Sequence, residues 1–292
     1  VGCLATADPL LPCVNVDKRA KDSGETHKAS LSWKIDPQKT VYFTYSTGFR
    51  PGGANRVAGV NPYAADTLTN YELGWKTTWL RGKLRVNGAI FQEDWKNLQY
   101  GLSPIGNDGI TNIYNAGDAR SKGAEANVIW KPTEHWTLSA GGTHVDAKLT
   151  TNFCRFDSAG NTDCSQGMAA AKGDRLPVQP VFKANATVRC DFDFHNYNSF
   201  LQTAAGTQTK TRSFLTDAEA ASFGSPPGFT MVDFSAGFGK DKWTFQVFLT
   251  NAFDEKGILS YNAVCSPTFC GQWKRAYPIK PQFFGAKFSQ DF

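Results

Sequence analysis

Apolar side chains recur at every second position along most of this 292-residue chain. Tyr71, Leu73, Trp75, Thr77 and Trp79 alternate with Glu72, Gly74, Lys76 and Thr78. Ala124, Ala126, Val128 and Trp130 alternate with Glu125 and Asn127, and Trp243, Phe245, Val247 and Leu249 with Thr244 and Gln246. Period two marks strands with one apolar and one polar face. No apolar run approaches the roughly 20 residues of a membrane helix, and mean hydropathy is −0.38. Two all-β solutions remain. One is a soluble sandwich with a polar outer surface. The other is a membrane barrel, whose polar alternate residues hide the lipid-facing ones from a hydropathy average.

Connection lengths favour the barrel. Short turns are predicted at 36–39, 80–83, 131–134 and 239–242, with a slightly longer one within 191–198. Long, irregular connections are predicted at about 50–66, 101–112, 153–174, 212–228 and 255–276. Short and long alternate strictly, as do the periplasmic turns and extracellular loops of outer-membrane barrels. Trp33, Trp79, Trp130, Trp136 and Trp243 all lie near short turns, where an interfacial aromatic girdle would form. About eleven strands follow: 26–36, 38–50, 66–80, 82–100, 111–131, 135–153, 174–191, 196–212, 227–240, 241–255 and 277–292. In the last of these, Phe284, Ala286, Phe288 and Phe292 share one face and Lys287, Ser289 and Asp291 the other, as a barrel's closing strand requires. Bacterial barrels usually have an even strand count and both ends inside. Eleven strands, an outside start and no initiator Met or signal peptide therefore predict an incomplete chain, half of a 22-stranded barrel.

The formal charge of +5 is spread along the sequence, which gives no footprint for nucleic acid. Six of the seven cysteines form close pairs: Cys3 and Cys13, Cys154 and Cys164, Cys265 and Cys270. Local disulfides at the long-loop end fit an oxidising compartment; zinc ligands or free thiols are the alternative, and spacing does not fix connectivity. Cys190 stands alone in a strand-like run. Asp146 near His144, and Asp193 near His195, are acid–His pairs without a nucleophile motif, so no catalytic residue is assigned. No metal-ligand spacing or cofactor-binding loop is found.

Alternation turns Glu72, Lys76, Glu125, Lys183 and Arg189 toward the barrel lumen, where they would hold water and a plug. Arg50, Arg56, Tyr63, Trp273, Lys274, Arg275 and Tyr277 fall on the outer side. Arginine and aromatic residues there suit anionic or aromatic ligands such as ferric chelates.

Five segments carry a family resemblance: 41–55 (VYFTYSTGFRPGGAN), 67–77 (TLTNYELGWKT), 115–117 with 123–125 (NAG…GAE), 249–254 (LTNAFD) and the closing strand to Phe292. Together they make the chain resemble the C-terminal half of the TonB-dependent outer-membrane receptor barrel, over residues 1–292. Gln290 stands where that family usually carries an apolar residue. The resemblance implies a Gram-negative outer-membrane location and active import of a scarce solute, most often a ferric siderophore. It also implies contact with outer-membrane lipid, with the barrel-assembly machinery through the closing strand, and with the TonB–ExbB–ExbD complex through a plug domain. No plug is recognisable in this sequence. The alternatives are a passive porin or autotransporter-type barrel, and a soluble β-rich binding module.

Overall fold

The computed structural model describes residues 18–55, 59–102, 111–157, 161–263 and 273–291. Its framework is one antiparallel sheet of eleven strands. These are β1 (Lys28–Asp36), β2 (Lys39–Arg50), β3 (Asp66–Trp79), β4 (Leu84–Lys96), β7 (Ala119–Trp130), β8 (Trp136–Leu149), β11 (Phe182–Phe194), β12 (Tyr197–Gln208), β13 (Phe229–Lys240), β14 (Trp243–Thr250) and β17 (Phe283–Gln290). Each wall strand pairs with the next along the chain, and β1 and β17 end the order.

Register extends the sequence alternation across the sheet. Phe43, Leu73, Ile90, Ala124, His144 and Phe182 form one continuous outward row. Tyr42, Gly74, Ala89, Glu125, Thr143 and Lys183 form the neighbouring inward row. A sandwich would bury the apolar face. Here it is bare: Leu31 is 75% exposed, Trp33 66%, Phe284 68% and Phe288 62%. A surface this apolar and continuous is what a bilayer covers. No helix among the described residues is long and apolar enough to cross a membrane. Trp79 and Trp130 both flank Leu84 at the short-turn end, in the position of an interfacial girdle.

The opposite end is more structured than the sequence suggests. Three small hairpins stand there: β5 (Gln99–Leu102) with β6 (Asn112–Asn115), β9 (Phe153–Phe156) with β10 (Thr162–Ala170), and β15 (Ile258–Ala263) with β16 (Lys274–Pro278). Helix α1 (Asp217–Phe223) interrupts the expected irregular segment at 212–228. The expected strand 82–100 breaks at Asn97, whose φ is 54°, and 111–131 breaks at Gly117, whose φ is 90°. The expected start of β11 near 174 moves to Phe182, because Pro177 and Pro180 withhold ladder donors and Val178 has a φ of 64°. The turn expected to be slightly longer, within 191–198, is a two-residue loop, as short as those at 36–39 and 240–243. Phe194 pairs with Tyr197, and His195 and Asn196 both take positive φ, as a two-residue type I′ hairpin requires.

The β5–β6 and β9–β10 hairpins share a core with the wall-strand ends and with Leu215, just before α1. Leu98, Ala116, Ala119, Leu149, Phe153, Ala170 and Leu215 are all buried, with Trp95, Tyr100, Phe156 and Leu176 packed around them. Cys154 and Cys164 form a disulfide across the β9–β10 hairpin. Cys190 is a free thiol on the outward face of β11, opposite Trp136 and Leu201. Cys3, Cys13, Cys265, Cys270, Arg56 and Phe292 lie outside the described residues.

Candidate ligand vestibule and inner wall

Four of the five lumen residues come together. The Tyr42 hydroxyl donates to Glu72 Oε1 at 2.7 Å, and the Lys76 ammonium lies 5.8 Å from the Tyr42 ring centroid. Gly74 makes this possible: a Cβ there would come within 2.3 Å of the Tyr42 ring. Lys76, Glu125 and Lys183 line a concavity of about 460 Å³ together with Asn87, Asn127 and Asn185. One carboxylate, two ammonium groups and three side-chain amides line it, a surface suited to a polar, hydrated partner. Arg189 stands apart, six residues down β11 from Lys183, or roughly 20 Å at strand rise. It bonds Asp191 at 2.9 Å and stacks 3.8 Å from the Phe200 ring centroid.

At the outer rim, Arg50 and Tyr63 belong to a tightly bonded corner. Arg50 Nε lies 3.1 Å from each Asp66 oxygen, and its Nη2 also bonds that carboxylate. The Gln99 amide donates to the same group at 3.0 Å. Tyr63 pairs with Gly53 through two backbone hydrogen bonds of 2.9 and 3.0 Å. Side-chain amides replace ladder bonds around them. Asn55 bonds Asn61 and Ile113, Asn115 bonds Ala64 and Asn97, and Gln99 bonds Pro51 and Ala64. Asp66 and Gln99 were not singled out in the sequence, and Asn55 and Asn115 entered only as parts of the resemblance segments, with no site role. Their signal, side-chain amides beside strand ends, is legible only once their partners are known.

Trp273, Arg275 and Tyr277 occupy a second place, beside or on β16. Trp273 is 80% exposed. A hydrogen bond from Arg275, reinforced by one from Asn262, draws the Tyr277 phenol below its ordinary range. Lys274 is committed elsewhere: its ammonium donates to Phe223 O at 2.6 Å and sits 3.8 Å from the Tyr261 ring centroid.

Contacts link the two places. Arg50 reaches Gln99 O, adjacent Tyr100 accepts from Leu215 N at 3.1 Å, and Lys274 closes on the C-terminal residue of α1. Burial holds the Tyr100 phenol up at about 12. Arg212 fastens the middle, bonding Phe214 O, Leu215 O and Asp217, with Asp174 at 3.5 Å. Thr216 caps α1 by accepting from Glu219 N and donating to the Glu219 carboxylate at 2.6 Å. Burial raises that carboxyl's pKa, against the Thr216 bond.

Of the acid–His pairs, His144 faces outward among apolar neighbours while Asp146 pairs with Lys148 and Arg175. His195 forms the β11–β12 turn. Neither arrangement presents a nucleophile.

A family model described as TonB dependent receptor-like, beta-barrel matches residues 7–252. The chain is 27% identical over 167 residues to a probable TonB-dependent siderophore receptor, PiuA, of Acinetobacter baumannii, covering 53% of this chain and 21% of that protein. It is 25% identical over 174 residues to the pesticin receptor of Yersinia enterocolitica, covering 58% and 23%. Its fold matches the ferric yersiniabactin uptake receptor FyuA of Yersinia pestis with a TM-score of 0.69 and 18% identity, over 91% of this chain and 37% of that one. The chain thus spans about a fifth to a quarter of these curated relatives' length.

Proposed function

Because the chain belongs to the TonB-dependent receptor-like β-barrel family and lies in the outer membrane of a Gram-negative bacterium, we infer that it forms the C-terminal part of the wall of an active uptake receptor. The ligand is a ferric siderophore or similar chelate, bound at the long-loop end and admitted with energy supplied through TonB. The observation that carries this is the pairing of a polar, charged inner wall with an ordered loop assembly bearing exposed aromatic and cationic groups. Relatives named as receptors for siderophores and ferric pyoverdines support the ligand class.

Within this reading, Trp273, Arg275 and Tyr277 offer the chelate a flat surface, a cation and an acidified phenol. Arg50, Arg56 and Tyr63 add further contacts to the chelate. Glu72, Lys76, Glu125 and Lys183 bind the side of a plug domain, and Arg189 its periplasmic edge. Through that plug the receptor engages TonB–ExbB–ExbD. The strand carrying Phe284, Phe288 and Phe292 is the one the barrel-assembly machinery handles. Cys3–Cys13 and Cys265–Cys270 close further outer loops.

The test is uptake of radiolabelled ferric siderophore by iron-starved cells expressing the full receptor. Trp273→Ala with Arg275→Ala is expected to weaken binding at least tenfold while the barrel still inserts. Uptake that persists after the proton-motive force is collapsed would instead favour a passive pore.

A further inference from the structure

The outward face changes character one row above its apolar band. Tyr45 and Tyr71 pack 5.5 Å apart there, and the same row continues through Gln92, Lys122 and Asp146. The next row up holds Thr69, Asp94, Arg120 and Lys148. Arg175 is bridged beside Lys148, and Lys96 closes on Asp118 at 2.7 Å. The patch therefore carries five cations, Lys96, Arg120, Lys122, Lys148 and Arg175, against three acids, Asp94, Asp118 and Asp146. Two positive charges are in excess.

The acids fix four of the five cations in place, Lys96, Arg120, Lys148 and Arg175. Arg120 lies 2.5 Å from Asp94, Lys148 2.9 Å and Arg175 3.6 Å from Asp146. All three cationic side chains stay 40–48% exposed. The patch is confined to β4, β7 and β8. Near its long-loop end, the outward side of β12 and β13 carries Thr207 and Thr230, hydrogen-bonded to one another.

We propose that this face of β4, β7 and β8 is a docking surface for the phosphorylated head group of a lipid in the outer leaflet. Three observations point to a lipid. The side chains face outward on the same strands whose next row is apolar. Tyrosines mark the boundary between the two, as at a membrane interface. The excess charge is positive, with four of the cations already held in position, which suits phosphate oxygens. A soluble anion would have no use for the apolar row beneath.

The experiment is native mass spectrometry of the full receptor in detergent, titrated with phosphatidic acid, with phosphatidylcholine of the same chains, and with inorganic phosphate. Phosphatidic acid is expected to be retained over phosphatidylcholine. Lys122→Gln with Lys148→Gln should weaken retention about thirtyfold, since each of the two basic residues near a surface contributes roughly 1 kcal/mol. Asp146→Asn should strengthen it, and Lys287→Gln on the inward face should leave it unchanged. The Asp146→Asn gain keeps the test decisive if the double variant inserts poorly. Equal retention of the two lipids, or indifference to all charge changes on this face, overturns the proposal. Displacement by inorganic phosphate at equal concentration also overturns it, in favour of a free-anion site.

Discussion

Arg50→Ala is expected to loosen the outer rim while leaving the membrane wall intact. The Asp66 side chain is 2% exposed and that of Arg50 is 50% exposed. The Asp66 carboxylate depends on Arg50 for its Nε and Nη2 donors, and on the Gln99 amide for one more. Deleting the guanidinium strands a buried anion with that single amide. Breaking a buried pair from one side costs about 3–5 kcal/mol. Water reaches the Arg50 side of this pair, so the low end, about 3 kcal/mol, is expected. That loss is local to the corner that Asp66 ties together. It should appear as roughly hundredfold faster hydrogen exchange at the Gln99 amide, read by mass spectrometry on the full receptor. Adding Asp66→Asn removes the stranded charge and keeps an acceptor for Gln99, so more than half of the lost protection should return. Exchange within twofold of wild type in Arg50→Ala, or a double variant looser than the single, would refute the reasoning. The same variants separate two roles for Arg50. Restored order with chelate affinity still lost marks it as a ligand contact.

Three further outcomes are expected. Replacing Cys154 and Cys164 by serine reopens a loop of sequence separation 10, worth about 2.7 kcal/mol by chain entropy; protection should fall across 153–170 and stay unchanged in β11. Glu219 carries a carboxyl whose folded pKa is raised, so the folded segment binds its proton more tightly than the unfolded one. The order of α1 should therefore be greatest below the ordinary carboxylate range and decline as pH rises through the raised value. Exchange protection of 216–223, corrected for intrinsic rates, checks this, and Glu219→Gln should flatten the profile. Gly74→Val should displace the Tyr42 ring and break its bond to Glu72, shifting the heat-dependent mobility of the barrel on gels; a Tyr42→Phe variant that behaves identically would tie the effect to that bond.

The wall was readable because its information is local. Each strand pairs with its sequence neighbour, so alternation plus a short turn determines both register and facing. Phe43, Leu73 and Ile90 announce their shared row within 48 residues of chain. The loop assembly was not readable for the opposite reason. Leu98, Phe153 and Leu215 come from three separate connections, and none sits in a periodic run. Helix α1 did carry a local signal, Thr216 followed three residues later by Glu219, but seven residues stopped by Gly224 and Pro226 read as loop without the tertiary contacts that stabilise it. Arg50 looked like a free cation because Asp66 lies 16 residues away, across a connection of irregular backbone.

The small core of Leu98, Leu149, Phe153 and Leu215 gives this chain two interiors that answer differently to temperature. The wall's apolar face meets hydrocarbon, so expulsion of water contributes little to holding it in place; backbone hydrogen bonds in lipid do that. The loop core sits in water and depends on the hydrophobic effect, which weakens on cooling. Chilling should therefore soften the outer assembly while the barrel beneath it stays rigid, leaving a receptor whose mouth, on cooling, loses order at a higher temperature than its body.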